Sequence, residues 1–167
     1  MLILSADDVR QALPTSQAID SMKRAFAALS SGRARVPLRS NLEIDLHTGT
    51  SLFMPVFVED EEDMALAVMA VSVFPGNARS GIPVVNAAVL VLDPSTGRTV
   101  TLMEGGSLTA IRTGAASGAA TDLLSRKNSH VAAIIGAGTQ GRTQLEAVCT
   151  IRSISTCWIY DIDAARA

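Results

Sequence analysis

The cluster Gly136-Ala137-Gly138-Thr139-Gln140-Gly141 constrains this chain more than any other feature. The short β-branched run Val131–Ile135 precedes it, and a helical pattern from about Thr139 to Ile151 follows. A second short strand, Cys157–Tyr160, ends at Asp161, twenty residues beyond Gly141. Strand, glycine loop, helix, strand and terminal acid form a βαβ unit from 131 to 161, the arrangement of a dinucleotide-binding fingerprint. A lone G-x-G-x-x-G match is weak; the agreement of its surroundings gives this one weight. Gly136 permits a tight turn, Gly138 removes a side chain where backbone must meet a diphosphate, and Gly141 lets helix and strand pack closely. The phosphates then sit on the helix N-terminus. A carboxylate at Asp161 is placed to bind the adenosine ribose hydroxyls and repels a 2′-phosphate, so NAD is favoured over NADP. The bland alternative is a glycine-rich turn that binds nothing.

A parallel βαβ unit needs a larger sheet with both faces covered. A full dinucleotide fold has about six strands, and two are expected here. The stretch 128–167 therefore reads as the N-terminal part of such a domain, and the chain as the front portion of a longer protein.

The residues before it follow another pattern. A short strand, Leu2–Leu4, leads into two helices, the first opened by Ser5 and Asp8, the second running from about Ser16 to Ser31. Leu38–Leu46, Ser51–Val58, Met64–Phe74, Val84–Leu92 and Arg98–Met103 read as strands separated by turn-type residues, which implies a largely antiparallel sheet. The acidic run at 59–63 reads as a solvated turn rather than a metal site. Ser107–Arg126 is an Ala-rich helix whose small residues, Ala110, Gly114, Ala115, Gly118 and Ala119, let another backbone approach closely. Because Gly105-Gly106 precedes it, its first N–H groups are expected to face an anion. The fold class is α/β: a mostly antiparallel-sheet domain, residues 1–127, followed by the start of a Rossmann domain.

Composition removes several classes. With 167 residues, 48% hydrophobic and 18% charged, the chain is one domain's worth of protein and not disordered. The net charge of −2 and only six aromatics argue against a nucleic-acid partner. Apolar runs such as Met64–Val71 are far too short to cross a membrane. Two cysteines make neither a disulfide framework nor a metal site, and with Asp7 and Asp8 where a signal peptide would be positive, the cytoplasm is the expected compartment. Lys23 and Lys127 are the only lysines. His47 and His130 read as surface residues, Cys149 and Cys157 as buried small hydrophobes. Ser107, Thr109 and Ser117 lack a nucleophile-elbow context.

Three blocks carry a resemblance to a known family: Val89-Leu90-Val91-Leu92-Asp93-Pro94-Ser95-Thr96-Gly97, then Leu108-Thr109-Ala110-Ile111-Arg112-Thr113-Gly114-Ala115-Ala116-Ser117, then the glycine loop in the same order and distance. Met54-Pro55 and Val73-Phe74-Pro75-Gly76-Asn77 extend it over nearly the whole chain. Together they resemble the ornithine cyclodeaminase/mu-crystallin family. The resemblance implies a homodimer whose antiparallel-sheet domain binds substrate and makes the dimer contact. It also implies a Rossmann domain binding NAD(H) or NADP(H), with the active site between the two. The shared step is hydride transfer at the α-carbon of a small amino or imino acid. The leading example converts ornithine to proline plus ammonia, and imine or pyrroline-2-carboxylate reductases and non-catalytic mu-crystallin-like binding are the alternatives.

Residue by residue, the resemblance gives Arg112 the substrate carboxylate and a contact to the cofactor beside it, and Arg39, on the first sheet strand, a second hold on the carboxylate. A guanidinium suits that task because it is always charged and forms two parallel bonds. Thr113 is placed to reach a cofactor phosphate. Thr139 and Gln140 match loop residues that bind the cofactor together with Gly136, Gly138 and Gly141, and Asp161 matches the ribose-binding acid. Val84 stands where some members contact the cofactor. Met54 matches a substrate-pocket methionine, with core packing an equal reading. Met69 departs from the pattern: many members carry a lysine there, and methionine neither pairs with a carboxylate nor moves a proton. No general acid or base is assigned; the family's lies beyond residue 167. The 167 residues alone are expected to be inactive in hydride transfer.

Overall fold

The computed structural model describes residues 1–59 and 64–167. Except for Glu59, the acidic run lies outside them. By packing, the chain divides into two compact units: Met1–Gln11 with Ala25–Leu108, and Ala12–Arg24 with Thr109–Ala167.

The first unit is built on a seven-stranded sheet of β1 (Leu2–Leu4), β2 (Ala34–Arg35), β3 (Ser40–Ile44), β4 (Gly49–Glu59), β5 (Met64–Val73), β6 (Val85–Leu92) and β7 (Thr99–Glu104). The order is β1-β7-β6-β5-β4-β2, with β3 beside β2 on the β4 edge. All pairings are antiparallel except β1 with β7. On that edge β3 pairs with Gly49–Phe53 and β2 with Phe57 and Val58. Pro55, which has no N–H to offer a ladder, falls in the gap between them. The β6–β7 turn is tied by Asp93, whose Oδ1 accepts the N–H groups of Ser95 at 2.8 Å and Thr96 at 3.2 Å. Gly97 supplies the left-handed residue, with φ 71°. Helix α1 (Ala6–Ala12) opens as expected: the Asp8 carboxylate accepts the Ser5 N–H at 2.8 Å, and Ser5 Oγ accepts the Asp8 N–H at 3.3 Å.

Helices α2 (Thr15–Ser30) and α3 (Gly105–Leu124) run through both units. The second unit adds β8 (Val131–Ile135), α4 (Thr139–Ile151) and β9 (Thr156–Tyr160), with β8 and β9 parallel and in register from Val131↔Thr156 to Ile135↔Tyr160. Its core is Ala18, Ile19, Ala115, Ala119 and Ala147. The small residues of α3 do what their size predicts. A Cβ on Gly114 would lie 2.5 Å from the Thr143 carbonyl oxygen, and one on Gly118 would meet Ile19 at 2.7 Å and Ala147 at 3.1 Å. Backbone and alanine surfaces thus meet directly. Among the described residues no helix is long and apolar enough to cross a membrane.

Three expectations need correction. Arg39 is not in a strand: β3 begins one residue later, and two strands precede it in the chain. β2 is too short for sequence periodicity to reveal; pairing with Phe57 and Val58 makes it a strand. The segment Pro75–Ser80 is a 3-10 turn, closed by Gly81 at φ 68°, rather than a plain link.

Candidate functional site

The glycine loop joins β8 to α4. Gly136 takes φ 103°, a backbone state that favours glycine, and its N–H donates to the Tyr160 carbonyl at 2.7 Å. A Cβ on Gly141 would overlap the Gly136 carbonyl oxygen and press on Ile134. Helix and strand could not close with any larger residue there. Gly138 differs: it is extended, at φ −73° and ψ −173°, and a Cβ on it would project into open space. It is the N-cap of α4 and makes no side-chain cap. The amides of Thr139, Gln140 and Gly141 therefore lack intrahelical acceptors, at the positive end of the helix dipole. A cavity of about 440 Å³ lies beside them, lined by the end of β8 and by Gly136, Gly138, Gln140, Gly141 and Gln144.

Asp161 closes the loop from β9. Its Oδ2 accepts the Ala137 N–H at 2.7 Å, and its Oδ1 accepts the Asp163 N–H at 2.8 Å. The Asp163 amide first, then that of Ala137, holds its carboxyl below the usual carboxylate range. Each carboxylate oxygen keeps a second acceptor direction. The glycine loop brings together the features a dinucleotide needs: uncapped backbone donors beside a cavity for phosphate, a space a side chain would fill, and, bonded to the loop at Ala137, a carboxylate acceptor for hydroxyls.

Helix α3 lies against α4. Gly114 abuts Thr143, so Thr113 and Arg112 stand on α3 at the level of the first turns of α4. Arg112 is exposed, and among the described residues it has no hydrogen-bond or ion-pair partner. The start of α3 faces an anion, as its sequence predicts, and the anion is Glu104. Its carboxylate accepts the Gly106 N–H at 2.5 Å and the Ser107 N–H at 2.7 Å. Partial burial pushes the Glu104 carboxyl up; the Ser107 and Gly106 amides, the Ser107 hydroxyl and Arg10 outweigh this and hold it low. These two amides are thus satisfied within the chain.

In the first unit, Met54 and Met69 are direct cross-strand partners, and Met69 also faces Val89, which faces Met103. Paired residues share a sheet face, so these side chains form one apolar row. Ser40 pairs with Phe53, which brings the exposed Arg39, the residue before it, level with Met54. Arg39 too has no partner among the described residues. Val84 lies just before β6, and its carbonyl accepts the Phe74 N–H at 2.8 Å. Cys149 is exposed, against expectation, because it lies off the α4 face that buries Ala147; Cys157 is half-buried. Two groups escaped sequence reasoning. The acid before Gly105-Gly106-Ser107 is a local cap signal that could have been read. Arg152, whose partners lie about thirty residues away in the chain, has no local signal at all.

The whole chain, residues 1–167, matches the ornithine cyclodeaminase/mu-crystallin family. It belongs to that family. It is 36% identical over 161 residues to a Delta(1)-pyrroline-2-carboxylate reductase of Bacillus cereus, a match covering 96% of this chain and 49% of that one. Among solved structures, the Thermococcus litoralis Delta(1)-pyrroline-2-carboxylate reductase in complex with NADH and L-proline superposes with TM-score 0.91 at 49% identity, covering 100% of this chain and 51% of that one. An archaeal alanine dehydrogenase dimer with bound NAD gives TM-score 0.91 at 32% identity, covering 100% and 50%. The chain spans about half the length of the relatives it matches.

Proposed function

We propose that this chain supplies the substrate-binding sheet and the opening of the nucleotide domain of an NAD(H)-dependent oxidoreductase. The reaction is hydride transfer at the α-carbon of a small imino or amino acid. Residues 1–127 serve substrate and dimer contact, and 128–167 begin the nucleotide domain. The observation that carries the reading is the uncapped start of α4 beside an open cavity, on a loop whose Ala137 N–H is held by the Asp161 carboxylate from the end of β9.

The residues divide the work. The amides opening α4 hold the diphosphate, with Thr139 and Gln140 at its edge. Asp161 accepts from the ribose hydroxyls, which favours NAD over NADP. Thr113 supports the phosphates from α3. Bound NAD(H) supplies the hydride chemistry at its nicotinamide ring. Arg112 and Arg39 grip the substrate carboxylate, and Val84 touches the cofactor. Met54 and Met69 wall the pocket with thioethers. Met69 offers an amine neither charge nor proton exchange, which favours an imine substrate over a diamine. The 49% identity to a reductase holding NADH and L-proline supports the same choice. Reduction of a cyclic imino acid is therefore our first reading and ornithine cyclisation the second. A second copy of the chain is the proposed partner.

The test is turnover of the full-length protein. NADH consumption with pyrroline-2-carboxylate is the expected result, with little ammonia released from ornithine. Ammonia release with proline formation would install the second reading. Tight NADH binding with no turnover of any amino or imino acid would leave a non-catalytic binding role.

A further inference from the structure

Arg152 is the least exposed charged residue of the second unit, with its side chain 6% exposed. Its backbone caps α4, the N–H donating to the Val148 carbonyl at 2.9 Å. Its side chain turns to the end of α3. Nε donates to Ser125 Oγ at 3.1 Å and the Arg126 carbonyl at 3.2 Å. Nη1 reaches Asp122 Oδ1 at 3.1 Å and the Ile151 carbonyl at 3.0 Å. Nη2 reaches the carbonyls of Thr121 at 3.1 Å, Asp122 at 3.0 Å and Ser125 at 3.3 Å. The other oxygen of Asp122 takes Lys23 Nζ of α2 at 2.6 Å. Helix-end carbonyls need donors, and one fork from a neighbouring helix provides them.

The position of this clamp matters more than its bonds. Contacts between α3 and α4 fall at Gly114 with Thr143, Gly118 with Ala147, and Asp122 with Arg152. Numbers rise together on both helices, in steps of four on α3 and of four and then five toward the C-cap of α4, so the two run parallel. The first two contacts are glycine against backbone or alanine. They allow close approach, and the apolar packing around them, with Ile19, Ile111 and Ile151 on the same core, carries no directional bond. The directional bonds that fix the register stand at the far end, on Arg152. At the near end lie Arg112 and Thr113 on α3 and the glycine loop on α4. We infer that Arg152 is a positioning residue: it sets the register of α3 on α4, and through about 14 Å of helix it holds Thr113 and Arg112 in place against a dinucleotide on α4. This rests on the cofactor site proposed above.

The test is NADH affinity, by fluorescence titration well below the melting temperature, in a double-mutant cycle of R152K with T113V. Lysine keeps the charge but loses the planar fork. R152K alone should weaken NADH binding about fivefold to tenfold, and T113V should weaken it too. In the T113V background R152K should add less than about a further twofold, because both act through one contact. Unchanged affinity in R152K with a lowered melting temperature, or equal losses in both backgrounds, overturns the inference and leaves a purely structural clamp. Should R152K not fold, D122N, which spares the carbonyl bonds, is expected to give a smaller loss with the same coupling to Thr113. Wild-type protein that binds no NADH would remove the cofactor site itself, an outcome distinct from a variant that binds as well as wild type.

Discussion

Helices α3 and α4 begin in the same way and end up with opposite roles at their first turns. Each follows a β-strand in the chain, each has glycine in its first turn, and the first amides of each lack intrahelical acceptors. At α3 the residue before the helix is Glu104, and its carboxylate takes the Gly106 and Ser107 amides. At α4 it is Gly138, which has no side chain to offer, and the amides face a cavity. One side chain decides whether the positive end of a helix is neutralised within the chain or presented to a ligand. A glycine-rich start is thus an anion site only where the cap is missing.

The largest effect should come from making α4 resemble α3. Gly138→Asp fits the backbone, since φ is negative and the space beyond is open. A carboxylate about 4 Å from a phosphate costs about 4 kcal/mol at an effective dielectric of about 20. NADH affinity in a titration should fall about a thousandfold, while helix capping improves stability by a few tenths of a kcal/mol. Loss of stability along with affinity would break the comparison. Next, Arg112→Ala on the self-capped helix should lower kcat/KM of the full-length enzyme about a hundredfold by removing two charge-assisted bonds, with the melting curve unchanged. An unchanged rate would remove Arg112 from the site. Uncapping α3 is a smaller change: Glu104→Ala should cost about 1 kcal/mol in denaturant unfolding and leave NADH affinity within about twofold. If E104A instead gains an anion site, the two starts are interchangeable.

The smallest effect is in pH. Glu104 and Asp161 both titrate lower in the folded chain than their unfolded values of about 4.3 and 3.9. Such groups give stability that is present above the unfolded value and lost as pH falls through the folded one. Melting temperature should be flat from pH 7 to about pH 5 and fall below about pH 4. E104Q should remove part of that fall. A melting temperature that rises on acidification would contradict the cap and the loop tie together.

Local features were the legible ones. β8 and α4 begin and end where the sequence places them, because β-branched residues, glycines and helix formers change over sharply at those points. The strands from Gly49 to Glu104 were readable from the turn residues that separate them, such as Asp93 and Gly97. β2 was not, since two residues carry no period and long-range pairing defines them. The start of α3 falls two residues before its expected place, because Glu104 caps it from the end of β7. Arg39 drops out of its strand for a similar reason: pairing stops at Ser40. The loop residues of the candidate site lie in one contiguous piece of chain, so spacing alone brought them together. Arg152 and Asp122 are thirty residues apart and meet only because two helices pack, a fact no local pattern encodes.

The most direct measurement is amide chemical shifts of the uniformly labelled chain during NADH titration. The amides of Gly138, Thr139, Gln140 and Gly141 should move together and saturate, while those of Gly106 and Ser107 stay in place. No shift at Gly138–Gly141, or shifts centred on the start of α3, would contradict the account.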